Sequence, residues 1–74
     1  MEEITKEIIE RVLSRYKKAK RIAVENFLST SEGLRWEDQE ANLEMDAALY
    51  RWKSDTIKAI RTGLFMMKQA GLLR

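Results

Sequence analysis

The sequence predicts an all-α fold, and three observations carry that prediction. The 74 residues contain no proline and only three glycines, at positions 33, 63 and 71, so few positions force a helix to stop. Strong helix formers (Ala, Leu, Glu, Lys, Arg and Met) dominate the composition. Apolar residues recur at helical spacing, and no stretch keeps the period-2 alternation of a strand.

The first helix is expected over residues 2–29. At about 100° per residue, Ile4, Ile8, Ile9, Val12, Leu13, Tyr16, Ala19, Ile22, Ala23 and Phe27 fall within half the circumference, with Glu7, Glu10, Arg11, Ser14, Lys18, Arg21 and Glu25 opposite. Glu2, Glu3 and Glu7 sit in the first turns, where carboxylates favour the positive end of the helix dipole. A turn follows at 30–34. Ser29, Thr30 and Ser31 compete for backbone hydrogen bonds there, and Gly33 can take a left-handed conformation at little cost.

A second helical region is expected over 35–70, and its first part carries two apolar faces. Trp36, Leu43, Ala47 and Tyr50 form one; Ala41, Met45, Ala48 and Trp52 form another, roughly opposite. One face needs the first helix and the other needs a further helix, from this chain or a second copy. Two signals compete over continuity. Trp36, Leu43, Tyr50, Ile57 and Leu64 recur every seven residues, which favours one unbroken helix. Ser54, Asp55 and Thr56 are mediocre inside helices and good at caps, which favours a stop near 53–55. The expected fold is a long antiparallel helical hairpin whose second arm is one long helix or, with a break near 53–55, two shorter ones that make three helices in all. The final residues, Gly71-Leu72-Leu73-Arg74, end the last helix and are expected to fray.

Composition removes whole classes of chemistry. With no cysteine and no histidine, the chain can form no disulfide, has poor ligands for zinc and lacks the usual nucleophile–base pairs. Glu37, Glu40 and Glu44 share a helix face, as do Glu3, Glu7 and Glu10, and both sets read as solvated faces rather than metal ligands. The three glycines are too far apart for a phosphate-binding loop. No cofactor and no metal are expected, and the chain is read as non-enzymatic. Its longest apolar run, Leu64 to Met67, is far below the ~20 residues of a membrane span. The acidic start, Met1-Glu2-Glu3, lacks a signal-peptide core, so a cytoplasmic location without membrane contact is expected.

The formal charge of +2 hides four blocks. Residues 2–10 carry −3, 11–21 carry +6, 25–46 carry −6 and 51–74 carry +5. A hairpin turning at 30–33 sets 11–21 against 42–52 and 2–10 against 53–61, so the blocks are broadly complementary within one chain. The aromatic residues read as core, with Phe27 near Trp36 in that register. Trp52, on the second apolar face, reads as an anchor for association. A chain this small buries only ~60% of its unfolded surface. The expectation is therefore a homodimeric bundle acting as a small protein-interaction module, an adaptor or regulator, with Ala41, Met45, Ala48, Leu49 and Trp52 at the interface.

An alternative partner is nucleic acid. The segment Ala47–Ile60 resembles a helix-turn-helix DNA-binding element. Ala47 matches the small residue of the first helix, Tyr50 and Trp52 the apolar positions beside the turn, and Asp55-Thr56-Ile57-Lys58 the start of a recognition helix, with Ile60 on its buried face. The segment departs from the pattern at Arg51, where that family usually has glycine. The resemblance implies a transcriptional regulator with Lys53, Ser54, Lys58 and Arg61, and also Asp55, approaching DNA.

Overall fold

The computed structural model describes residues 3–17 and 20–74. These form four helices and no strand: α1 (Glu3–Arg15), α2 (Arg21–Ser29), α3 (Trp36–Tyr50) and α4 (Ser54–Gln69). Helix α4 is central. Helices α1, α2 and α3 each pack on it, α1 and α2 also pack on each other, and α3 rests on α4 alone. Glu2, Lys18 and Ala19, which the sequence places on the first helix, lie outside the described residues.

Helix α1 follows its pattern at Ile8, Ile9, Val12 and Leu13, but Ile4, expected on that face, is exposed and Thr5 is buried instead. Thr5, Ile8, Ile9, Val12 and Leu13 are buried, one contiguous stripe at helical spacing. Glu3 and Arg15 complement the dipole at its two ends. The single helix expected over 2–29 is corrected here, because α1 stops at Arg15 and a new helix starts at Arg21. In one continuous helix the buried positions of α2 (Val24, Phe27 and Leu28) would sit about 85° around from those of α1. Both stripes reach one core only if the chain breaks and turns. Like charges also weaken helix through this stretch, since Lys17 precedes Lys20 by three residues and Arg21 by four. The new rotation buries Val24 and Leu28 completely and leaves Ile22 in solvent.

The second region does break, but earlier than the cap residues imply. Helix α3 ends at Tyr50, Arg51 takes a left-handed conformation (φ 54°, ψ 46°), and Lys53 is the N-cap of α4. The Arg51 and Trp52 amides both donate to the Ala47 carbonyl, closing the helix as a glycine C-cap does. Ser54 is thus the first residue of α4 rather than a breaker, the seven-residue seam does not run through, and the total is four helices rather than three.

The core joins Val12, Val24, Leu28, Leu43, Ile60, Leu64 and Met67, all essentially without solvent contact. Gly63 lets α2 approach α4, and Leu28 occupies the space a side chain at 63 would fill. Three interactions tie the ends of elements together. The Thr5 hydroxyl donates to Glu32, joining α1 to the turn. Tyr16 and Thr62 share a hydroxyl hydrogen bond of 3.2 Å, joining the end of α1 to α4. In the turn, buried Ser31 donates to the Phe27 carbonyl at 2.6 Å and accepts from Gln39 Nε2 at 2.6 Å.

The fraying expected of residues 71–74 is also corrected. Gly71 (φ 76°) reverses the chain after α4. Residues 72–74 then lie along the turn: the Gly33 amide donates to Leu72, the Arg74 amide to Leu34 and the Trp36 amide to Arg74, at 2.8–3.0 Å. Leu73 is buried in the core.

Candidate functional site

Two features of α3 set it apart. Its inward side is covered in the ordinary way, with Leu43 fully buried and Trp36 half-buried beneath the Lys68 ammonium, which sits 4.6 Å from the Trp36 ring centre. Its outward side is apolar and uncovered. Ala41 and Ala48 are exposed, Met45 is 66% exposed and Leu49 70%. The sequence's second apolar face is therefore present in three dimensions as an open stripe.

Trp52 does not belong to that stripe. It is half-buried, edge-on to Phe27 with ring centres 6.3 Å apart and stacked on Tyr50 at 5.7 Å. The left-handed turn at Arg51 directs it there, so Phe27 meets Trp52 and not Trp36. Between α2 and α3, which both rest on α4 without packing on each other, runs an open groove of about 1120 Å³. Phe27, Trp52, Tyr50, Ile22 and Leu34 supply its apolar lining, and Asn42 and Asp46 its α3 wall. Sequence reasoning missed Ile22 and Tyr50 as exposed groove residues because both were assigned to buried faces. The signal for Ile22 was available: Val24 and Leu28 compete with it for the core at their own helical spacing.

Charge is distributed unevenly over this surface. Helix α3 carries Glu37, Asp38, Glu40, Glu44 and Asp46 and no base. Glu37 pairs with Arg35 at 3.0 Å and Glu40 with Arg61 at 3.8 Å. The hydrogen bond from Arg35 to Glu37, with the charges of Glu37 and Asp38, raises the already high pKa of that guanidinium. The one other ion pair among the described residues, Arg21–Glu25, is local to α2. None of the three joins the charge blocks in the register expected of the hairpin.

The residues of the helix-turn-helix resemblance occupy α3, the turn and the start of α4. Arg51 adopts the left-handed conformation that the family's glycine usually supplies. Lys53, Ser54 and Lys58 are exposed; Arg61 is exposed and engaged by Glu40. Among the described residues no three carboxylates gather as a metal site, and no helix is long and apolar enough to cross a membrane. No protein-family model, curated protein or solved structure matches the chain.

Proposed function

We propose that this chain is a small non-enzymatic protein-interaction module, an adaptor or regulator that docks a partner protein on the outward side of α3. The observation that carries the reading is the open stripe Ala41, Met45, Ala48 and Leu49, on the side of α3 opposite buried Leu43. Fully burying a Met or Leu side chain contributes about 1.5–3 kcal/mol. Covering Met45 and Leu49, each about two-thirds exposed, therefore leaves roughly 1–2 kcal/mol apiece to favour association. The homodimer that the sequence suggests would seat a second copy on this stripe. A photo-crosslinking residue placed at Met45 tests the reading. Adducts are expected in the native host at position 45 and not at Lys6, on the exposed side of α1. Equal labelling at both positions, or none at 45, refutes it.

A second reading is DNA binding by α3, the Arg51–Lys53 turn and α4. The left-handed Arg51, in the place of the family's glycine, favours it, and so do exposed Lys53, Ser54 and Lys58. The five acids of α3 oppose it, because they would lie near the phosphates. Duplex binding that weakens linearly in log salt, and is lost in Lys58→Ala/Arg61→Ala, would favour this reading over the first. No binding at low salt removes it.

A further inference from the structure

The charge around the open stripe selects among partners. At about 100° per residue, Glu37 and Glu44 flank the stripe on one side, Asp46 lies beyond Leu49 and Asn42 on the other, and Asp38 falls at its N-terminal end. No lysine or arginine lies within α3. Two copies meeting stripe to stripe would bring Glu37, Asp38, Glu44 and Asp46 of each together, eight acids offset only by Arg35 beside each Glu37, while Glu40 is turned to Arg61 of α4, and like charges facing across an interface oppose that pairing. The stripe extends from residue 41 to 49, about 12 Å along the axis, or roughly two turns of a facing helix.

From this we infer that the occupant of the α3 stripe is a basic amphipathic helix of another protein, with an apolar seam edged by lysine or arginine. This rests on the docking reading above and names its partner class. The seam covers Met45 and Leu49 while its basic edges reach Glu44 and Asp46. A contact of two turns is small, so the complex is transient and sensitive to salt.

Two synthetic helical peptides with the same leucine seam, one edged by lysine and one by glutamate, test the inference by fluorescence anisotropy. The wild-type chain should bind the lysine peptide at least about tenfold more tightly than the glutamate peptide. Glu44→Lys/Asp46→Lys should reverse the preference, and Leu49→Glu should abolish binding with the circular dichroism spectrum unchanged, since Glu44 and Leu49 are exposed and Asp46, half-buried, borders the open groove. Equal affinity for both peptides overturns the basic partner and leaves the docking reading standing. If neither peptide binds but light scattering gives twice the 8.7 kDa chain mass, and Leu49→Glu restores the monomer, a second copy is the occupant and the inference fails. If neither peptide binds and the chain is monomeric, the inference fails, and the crosslinking at Met45 decides the docking reading.

Discussion

Replacing Gly63 with alanine sets two effects of known size against each other. Gly63 lies inside α4, where Gly→Ala ordinarily stabilises a helix by about 1 kcal/mol. Here the new Cβ would lie 2.9 Å from Leu28 Cδ2 and 3.2 Å from Leu28 Cγ, with Cδ1 nearer still, against an optimum of about 3.5–4.0 Å. Leu28 is fully buried, so its side chain has no open space to enter. Overpacking of this kind costs about 1–3 kcal/mol, and three close contacts place this site in the upper half of that range. The net expectation is a loss of about 1–2 kcal/mol, or roughly 4–8 °C in Tm for each kcal/mol in a chain of this size. Thermal and urea unfolding followed by far-ultraviolet circular dichroism measure it. The sign should invert when the obstruction is removed: Leu28→Ala/Gly63→Ala should be more stable than Leu28→Ala alone, because the added methyl then fills part of a void. A Gly63→Ala variant more stable than the wild type would refute the close approach of α2 to α4.

Four further substitutions examine the turns and the tail. Arg51→Gly should stabilise by about 0.5–1 kcal/mol, since relief of the left-handed strain exceeds the added flexibility of the unfolded chain; an unchanged Tm would count against the left-handed cap. Lys20→Asp supplies α2 with a side-chain cap that Lys20 does not provide and removes a cation from the positive end of its dipole; a gain of about 1 kcal/mol is expected in urea unfolding. Ser31→Ala leaves the buried Gln39 amide without its acceptor and should lower stability by about 1–3 kcal/mol; Tm within a degree or so of the wild type, against roughly 4–8 °C per kcal/mol, would contradict that network. Leu73→Asp should release the tail, and hydrogen exchange should then accelerate at the Gly33 and Trp36 amides, whose acceptors are Leu72 and Arg74; unchanged protection of both would show that the tail does not hold them.

The sequence by itself determined the helical class, most of the buried stripe of α1 and the presence of two apolar faces on α3, and it offered Ser54-Asp55-Thr56 as one of two competing signals for a stop near 53–55. These are local properties, written in spacing and composition, and they need no knowledge of what each helix packs against. The candidate site was legible to the same degree: Ala41, Met45, Ala48 and Leu49 share a face whatever the fold does. Tertiary structure decided the rest. The break after Arg15 follows from the need to turn the stripes of α1 and α2 toward one core, and that turn exchanges Ile22 for Val24 and Leu28. Trp52 faces inward because one residue, Arg51, adopts a conformation that arginine seldom takes, and the one local hint of it is the glycine that the helix-turn-helix resemblance puts at that place. The tail is held by backbone hydrogen bonds to the turn at 33–36 and by burial of Leu73, and two leucines after a glycine do not say what they dock against. Helix α3 keeps an open face because α2, which the hairpin register set beside it, packs on α1 and α4 instead, and only the packed chain shows which apolar surface is left uncovered.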